Sequence, residues 1–523
     1  PVPLFDNLGD HHWGVTTESD RVQSYFDQGL RLYYAFNHEE ARRAFAYAFE
    51  LDPGCAMCAW GEAMTYGPNI NLAMSDEAWT EAARALRTAL ATLDGESARE
   101  RALIEATKVR FLPVGGDRAA QDRAWIATLA ELLELWPDDH ELSVLWGEAV
   151  MTARPWDYWD EDGMPREGIA EALERFRRVV AADPEHPGAC HFYIHAVEKL
   201  YPERGVPCAE RLASLMPGAG HLVHMPGHIY IRVGRYNDAI RVNEHAVHAD
   251  ATYIQDARPG MGMYVGGYVP HNFDFLAFAA AMSGRAEQAI EAAYVVREGV
   301  PEDLLMSGEI PFLQSFTARP WQLLVRFGRW DAMLDEPAPH ESLAYARLLW
   351  HYARGRALVA TGRIDEASAE LAALRAIRAS GELESLRMEF NAATELSAVA
   401  DGVLAGWLHM ADGRTHLALE HFRSAVTAED ALLYGEPPEW TVSARHDLGA
   451  ALLELSRFGE AERVYRRDLE VFRENGWALA GLAHALEAQN RAAEADAVRG
   501  RFEAAWSEAD TPIRGSVIRP LGR

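Results

Sequence analysis

Only four cysteines and two lysines occur among 523 residues, and no apolar run approaches the roughly 18 residues that a membrane helix needs. Four cysteines are too few to cross-link a chain of this length, so the fold must rest on the packing of its hydrophobic residues, 49% of the sequence. Positive charge is scarce too: the formal net charge is −29, whereas a phosphate backbone or an anionic membrane surface is bound by clustered cations. The sequence therefore predicts neither a nucleic-acid partner nor a membrane partner.

The motifs of several large enzyme classes are also missing. The sequence has no GxGxxG motif, no P-loop and no GxSxG nucleophile elbow. Runs of alternating β-branched residues between hairpin turns, which indicate strands, are nearly absent. Dinucleotide, P-loop nucleotide and serine-nucleophile chemistry thus find no support, and the chain is predicted to be helical.

What is present is a helical repeat. The segment NHEEARRAFAYAFELDP has Ala41, Phe45, Ala48 and Pro53 at spacings of four, three and five residues. These are the second-helix positions of a tetratricopeptide repeat (TPR), where small alanines let two helices approach, the phenylalanine fills the gap between repeats and the proline ends the helix. Asn37, with Glu40 three residues later, reads as the helix start.

The same alanine register recurs along the chain. It returns in segments such as GRYNDAI, GRAEQAI and GRIDEAS, at Ala239, Ala289, Ala367, Ala418, Ala461 and Ala495. The last step spans 34 residues, the TPR period, while longer steps indicate insertions. The predicted fold class is therefore all-α: a TPR-like helical-repeat superhelix (α-solenoid) with loop insertions.

Repeat spacing and insertions suggest five segments. An N-terminal extended segment (1–24) precedes N-terminal TPR-like repeats (25–165). Central TPR-like repeats with a histidine-rich site follow (166–335), then C-terminal TPR repeats (336–510) and a tail (511–523).

Nine of the 20 histidines lie between residues 186 and 271. In HFYIHAVE, His191, His195 and Glu198 fall on one helix face, where two imidazoles at i and i+4 can close on one cation. The alternative is a pair of hydrogen-bonded core histidines. In GHLVHMPGHIYIRVGRY, three more histidines converge on a helix start marked by a proline, and they are His221, His224 and His228.

A sixth histidine, His271 in GGYVPHNFDF, is predicted to be a further ligand or a substrate contact. His245 and His248 lie on a charged helix and are predicted to be surface residues. All-nitrogen ligation suits a transition metal and does not suit calcium or magnesium. Copper is favoured, followed by iron and then zinc, because copper's affinity for nitrogen ligands exceeds that of its neighbours.

Three glutamates are candidate acids or bases, or partners that orient the imidazoles. Glu62 and Glu148 occupy the same motif, W-G-E-A, and Glu198 follows the first histidine pair. For the motif glutamates a salt bridge to an arginine is the open alternative, since a carboxylate in an apolar helix must be paired.

Three further residues are assigned to a substrate pocket. His38 replaces an aromatic residue of the repeat pattern, and Trp156 and Tyr158 lie in the insertion PWDYW. Cys55 and Cys58 form a CxxC, which is a disulfide, half a metal site or a pair of small buried residues.

Several blocks resemble a bacterial family of TPR proteins, often exported, for which no activity is established. They are GHLVHMPGHIYIRVGRY, ACHFYIHAVE, PWDYW, LDPGCAMCAWGEAMTYGPNIN and NGWALAGLAHAL. The match runs from about residue 26 to about residue 485, and the HMPxHIY block is its specific part. The resemblance implies a helical-repeat fold, and together with the absent initiator methionine it favours a periplasmic or exported mature chain.

The resulting hypothesis is a metal-dependent enzyme on a TPR scaffold. A histidine-ligated copper or iron ion would act oxidatively on a small molecule, whereas zinc would activate water. Two alternatives stay open: a non-catalytic scaffold that binds a peptide or protein partner, and a metal storage or delivery protein with an open, labile site.

Overall fold

The computed structural model of the protein describes residues 2–518, so Pro1 and the last five residues of the predicted tail lie outside the described part. Helices account for 68% of these described residues. Within residues 2–518 extended pairing is limited to isolated bridges, such as that between Asn69 and Leu72. The chain divides into two compact units. Unit 1 comprises the residues up to Ile229 together with Glu244–Val269, and unit 2 comprises Tyr230–Asn243 together with the residues from Pro270 onward.

The first 12 helices belong to unit 1, and two further helices continue into or out of it. The helices are α1 Asp20–Tyr34, α2 His38–Leu51, α3 Ala56–Thr65, α4 Asp76–Ala91, α5 Ala98–Ala106, α6 Lys108–Phe111, α7 Arg118–Leu135, α8 His140–Thr152, α9 Ile169–Ala182, α10 Pro187–Val197, α11 Pro202–Leu215, α12 Gly220–His224, α13 Pro226–Val233 and α14 Tyr236–Ala257. A short π-helix, Tyr264–Tyr268, follows α14.

The remaining helices form most of unit 2. They are α15 Val269–Met282, α16 Ala286–Glu298, α17 Glu302–Ser307, α18 Leu313–Arg326, α19 Trp330–Asp335, α20 Ala344–Ala360, α21 Ile364–Ser380, α22 Ala393–Ala411, α23 Thr415–Asp430, α24 Ala444–Glu454, α25 Phe458–Val471, α26 Gly476–Ala488 and α27 Ala492–Ala505. Successive helices pack in pairs, as α20 does with α21 and α22 with α23. The predicted all-α, TPR-like helical-repeat fold is confirmed.

The packing of unit 1 explains the predicted repeat register. Ala41, Phe45 and Ala48 are all at most 1% exposed. The Phe45 ring lies so close to Gly29 on α1 and Gly61 on α3 that an added Cβ would come within 2.7 Å and 2.5 Å of it. The aromatic ring of one helix therefore fits against glycines of its two neighbours, and the glycine of the W-G-E-A motif is required by this close approach.

The recurring alanines are confirmed as core positions of unit 2. All six, Ala239, Ala289, Ala367, Ala418, Ala461 and Ala495, are at most 1% exposed. The predicted cap of α2 is also present, because the Asn37 side chain accepts a hydrogen bond from the backbone N–H of Glu40. The five-segment division of the chain stays a prediction.

Two disulfides lie in unit 1. Cys55 and Cys58 are bonded to each other at the start of α3, which decides among the three alternatives for the CxxC. Cys190 on α10 is bonded to Cys208 on α11, so this bridge ties together the helix that carries His191 and the next one. Among the described helices, none combines the length and the apolar character that a bilayer crossing requires.

Candidate metal centre

Helix α10 supplies the first half of the histidine site. Pro187 stands at its first position, where a missing backbone N–H is tolerated, and the helix continues to Val197. His191 and His195 are one turn apart on it, and Glu198 follows directly after its end. All three side chains are at most 3% exposed, which agrees with the prediction that they share one face of the helix.

Helices α12 and α13 supply the second half. His221 and His224 lie on the short α12, and His228 lies in the first turn of α13, which begins at a proline as predicted. All three are at most 2% exposed. A Cβ at Gly220 would lie 1.9 Å from a carboxylate oxygen of Asp250. Any larger residue at this position would clash with Asp250 of α14, so the close approach of the two helices requires glycine.

The two halves meet inside unit 1. The Nε2 atoms of His191 and His221 lie 3.2 Å apart, and those of His224 and His228 lie 3.0 Å apart. The His195 ring joins the two pairs, with its centroid 5.0 Å from that of His191 and 5.1 Å from that of His228. Five of the six predicted ligands therefore form one buried cluster, which we call the five-histidine cluster.

Glu198 lies against two members of this cluster. Its Oε2 atom is 3.4 Å from Nδ1 of His195 and 3.2 Å from Nδ1 of His228. Both rings turn the same nitrogen, Nδ1, toward the carboxylate, so their Nε2 atoms lie on the side away from it. A carboxylate that accepts a hydrogen bond from Nδ1–H of a histidine is a common partner of a metal-bound imidazole.

His191 is fixed by the backbone of α1. Its Nδ1 atom lies 2.6 Å from the carbonyl oxygen of Tyr34, and a carbonyl can only accept, so the ring proton is on Nδ1 and the Nε2 lone pair is available. Burial lowers the pKa of His191 to about 3. This imidazole is neutral at physiological pH, the form that binds metals.

Aromatic side chains enclose the five-histidine cluster. The Phe36 ring lies 4.4 Å from that of His191, and the Tyr268 ring, at the end of the π-helix, lies 4.6 Å from that of His221. Trp156, a predicted pocket residue, packs edge-on against His195 at 5.2 Å. Phe36 and Tyr268 were not predicted: Phe36 adjoins the first repeat segment and Tyr268 lies within GGYVPHNFDF, but no spacing in the sequence relates either of them to the histidines of the cluster.

The backbone is strained at two of these aromatics. Phe36 has a φ of 56° and Trp156 a φ of 64°. Bulky L residues rarely adopt this left-handed region, and such strain clusters at functional sites. Tyr158, the second predicted pocket residue of the insertion, packs behind Trp156 with ring centroids 6.3 Å apart, and burial raises its pKa.

The two W-G-E-A glutamates have partners other than histidine. Glu62 forms an ion pair with Arg84 at 2.6 Å, the alternative that the motif left open. Glu148 accepts a 2.5 Å hydrogen bond from the Tyr33 hydroxyl, and it lies 3.7 Å from a guanidinium nitrogen of Arg110. Their roles as acids or bases stay predictions.

His38 belongs to the surroundings of Glu148. Its ring stacks on that of Tyr33, with centroids 4.8 Å apart and planes 6° from parallel. Burial and the nearby Arg110 lower the pKa of His38 to about 3. An imidazole thus takes the place of an aromatic ring, as predicted, and its substrate role stays a prediction.

His271, the sixth predicted ligand, belongs to unit 2. It lies in the first turn of α15, where its ring packs against Phe275 with centroids 5.0 Å apart. Its role as a ligand stays a prediction. His245 and His248 are exposed on α14, which confirms that they are surface residues.

A second group of possible metal ligands was not predicted from the sequence. His11, Glu141 and His186 each offer one ligand atom, and these atoms lie within 4.8 Å of one another. His186 lies in the histidine-rich region, but no spacing links it to residue 11 or residue 141. Only the folded chain brings the three together.

No family model and no curated protein matches the chain. Solved structures do match. The Cut9–Hcn1 hetero-tetramer of the APC/C is 12% identical, with 95% of this chain and 76% of that chain covered and a TM-score of 0.32. The human IFIT1 dimer with m7Gppp-AAAA is 12% identical, with 94% and 91% covered and a TM-score of 0.31. Both are TPR-like helical-repeat proteins, and so weak a similarity carries no information about the site. The bacterial family stays a prediction.

Proposed function

We propose that the five-histidine cluster is a transition-metal centre and that the protein is an enzyme that oxidises a small molecule at it. The observation that carries the proposal is the convergence of five imidazoles, each at most 3% exposed, on a volume bordered by one carboxylate. Several imidazole nitrogens directed into one buried volume are a donor set that suits a transition-metal ion.

The donor atoms have the spacing that an ion needs. Ligand nitrogens at about 2.0–2.1 Å from a tetrahedral ion lie about 3.3 Å from one another. The Nε2–Nε2 distances of 3.2 Å and 3.0 Å in the two histidine pairs are close to this value. A small adjustment of either pair would therefore accommodate a metal ion.

We propose copper first, for its affinity for nitrogen ligands, and iron ahead of zinc because the proposed reaction is oxidative. All proposed ligand atoms are imidazole nitrogens, which suit these three ions and disfavour calcium and magnesium. Copper or iron would supply one-electron chemistry toward dioxygen when bound, while zinc would supply an activated water.

The protein's own residues prepare the site in two ways. The Tyr34 carbonyl accepts a hydrogen bond from Nδ1 of His191, and the Glu198 carboxylate faces Nδ1 of His195 and His228, an arrangement that would favour Nε2 of each ring as the ligand atom. Phe36, Trp156 and Tyr268 border the cluster with apolar surface, which limits access of bulk water to a reactive centre.

Burial argues against the storage and delivery alternative. A storage or delivery site exchanges its ion with a partner and is expected to be open, whereas no ligand of this cluster is more than 3% exposed.

We further propose that the chain is exported. Two disulfides in unit 1 support this location, because disulfides persist mainly in oxidising compartments.

The test is metal analysis of the purified full chain, followed by thermal unfolding of the metal-free protein with Cu²⁺, Fe²⁺ or Zn²⁺ added back. We expect at least one tightly bound ion per chain, with copper preferred, and a rise in melting temperature on reconstitution, because an ion that binds the folded state stabilises it. Dioxygen uptake by the loaded protein then tests the oxidative step. Protein that is purified without metal, and that no ion stabilises, would contradict the proposal.

A further inference from the structure

A second ligand set lies in unit 1, built from three segments that are far apart in sequence. His11 belongs to the non-helical N-terminal segment, Glu141 to the first turn of α8, and His186 is the cap of α10. Nε2 of His11 lies 2.8 Å from Oε1 of Glu141, and Nε2 of His186 lies 3.3 Å from the same oxygen. The two imidazole rings are 4.5 Å apart. The nitrogen–oxygen distance of 3.3 Å equals the spacing between neighbouring ligands of a tetrahedral ion, about 3.3 Å, and that of 2.8 Å is about 0.5 Å shorter.

Two members of the set, Glu141 and His11, are held in place by neighbouring side chains. The hydroxyl of Tyr34 donates a hydrogen bond to Oε2 of Glu141, which leaves Oε1 for the two imidazoles. Nε of Arg31 donates to the carbonyl oxygen of His11 at 2.7 Å and fixes the N-terminal segment at this point. Metal-binding carboxylates are commonly hydrogen-bonded in this way by a second layer of residues.

One side of the set faces an open cavity of about 750 Å³. Acidic side chains dominate its wall, among them Asp6, Asp10, Asp138 and Glu185. The cavity also contains Arg99, which is paired with Asp139 at 3.0 Å. Such a wall raises the local concentration of cations and disfavours anions.

We propose that His11, Glu141 and His186 bind a divalent transition-metal ion, with open coordination positions toward the acidic cavity. Two imidazoles and one carboxylate form the donor set of catalytic zinc sites and of non-haem iron sites, both of which keep positions for water or substrate. This site differs in donors from the five-histidine cluster and does not depend on the function proposed for it.

The ion-free arrangement is compatible with such binding. Nδ1 of His186 accepts a 3.2 Å hydrogen bond from the backbone N–H of Ala189, so without an ion the ring proton is on Nε2 and points to Glu141. Binding moves this proton to Nδ1, frees the Nε2 lone pair and breaks the bond from Ala189. One neutral hydrogen bond is a small loss compared with an imidazole–metal bond.

The experiment is a zinc titration of the metal-free full chain, followed by calorimetry. We expect His11→Ala and Glu141→Gln each to bind one zinc ion per chain fewer than the unchanged protein, or to bind that ion at least tenfold more weakly. The matched control is His140→Ala, which removes a histidine of the same cavity next to Glu141 and should leave zinc binding unchanged. Equal zinc stoichiometry and affinity in all four proteins would overturn the proposal.

Two further measurements keep the result unambiguous. Circular dichroism shows whether each variant is folded, and anomalous scattering from zinc-soaked crystals of the unchanged protein locates the ion without any substitution. A peak between the three donor atoms supports the site, and its absence overturns it. His221→Ala separates the two proposals, because it removes a ligand of the five-histidine cluster and should leave the peak beside Glu141 intact.

Discussion

Nε2 of His191 and Nε2 of His221 lie 3.2 Å apart, although 30 residues separate the two histidines in the chain. The Tyr34 carbonyl holds the proton of His191 on Nδ1, so its Nε2 offers a lone pair toward the second ring. Two helices thus bring together two imidazole nitrogens at the separation of neighbouring metal ligands. Substitution of one of these two histidines is therefore the most direct test of metal binding by the cluster.

His221→Ala should reduce the affinity for copper at least tenfold, because it removes a ligand and leaves a small void in its place. Isothermal titration of the metal-free protein with Cu²⁺ measures the change. The matched control is His248→Ala, an exposed histidine of α14 whose replacement by a good helix former should leave affinity unchanged. Equal affinities of the two variants would refute the ligand role of His221.

Glu198→Gln should weaken metal binding by about 10- to 100-fold, the usual effect of losing a residue that orients ligating imidazoles. The substitution keeps the side-chain volume but removes the charge that faces Nδ1 of both His195 and His228. Competition with a chelator measures the affinity, and thermal unfolding of the metal-free form measures the stability. A purely structural role would lower the melting temperature of the metal-free form without changing the affinity.

Local patterns made the helical part of this structure predictable. Ala41, Phe45 and Ala48 are four and three residues apart, a spacing that places them on one face of a helix, and the structure buries all three. Likewise, the i, i+4 spacing of His191 and His195 on one helix placed both rings on the same face. Such spacings involve residues within about two helical turns of one another, so they can be read from the sequence alone.

Long-range neighbours were not predictable in the same way. Phe36 and Tyr268 enclose the cluster, and His11 meets Glu141, through packing of segments whose sequence spacing carries no period. The W-G-E-A motif illustrates the limit further. Its glutamate attracted attention as a buried charge, but in Glu62 it pairs with Arg84, while the motif's Gly61 is the residue that the packing of Phe45 requires.

His38→Phe should flatten the acid dependence of stability. The pKa of His38 is lowered to about 3 in the folded protein, against 6.5 for an ordinary exposed imidazole, so the unfolded chain binds more protons between these values. The stability that His38 contributes is complete above pH 6.5 and is lost as the pH falls toward 3. The slope is at most about 1.4 kcal/mol per pH unit for one proton.

Urea unfolding of the metal-free protein between pH 4.5 and 7 measures this effect. The free energy of unfolding of the unchanged protein should fall more steeply with decreasing pH than that of the His38→Phe variant. His248→Ala, whose imidazole is exposed, should follow the unchanged protein. Parallel curves for His38→Phe and the unchanged protein would show that this imidazole is protonated equally in both states.

Removing the Cys190–Cys208 disulfide should destabilise unit 1 by about 3 kcal/mol. The bridge closes a chain segment with a sequence separation of 18, whereas that of the Cys55–Cys58 bridge is 3. The loop-entropy relation gives about 3 kcal/mol for the longer loop and about 1.5 kcal/mol for the shorter one. Urea unfolding of Cys208→Ser and Cys58→Ser tests this order, and a larger loss in Cys58→Ser would contradict it.

Two glycine-to-alanine substitutions in unit 2 should change stability in opposite directions. Gly406 on α22 faces Phe422 of α23, and an added Cβ would lie 2.5 Å from the ring, so Gly406→Ala should cost about 1–3 kcal/mol through overpacking. Gly500 on α27 has no heavy atom within 4 Å of an added Cβ, so Gly500→Ala should stabilise the helix by up to about 1 kcal/mol. Urea unfolding monitored by circular dichroism measures both changes in the free energy of unfolding. If Gly406→Ala were as stable as the unchanged protein, the close fit of aromatic rings against helix glycines would not be the constraint that sets the repeat register.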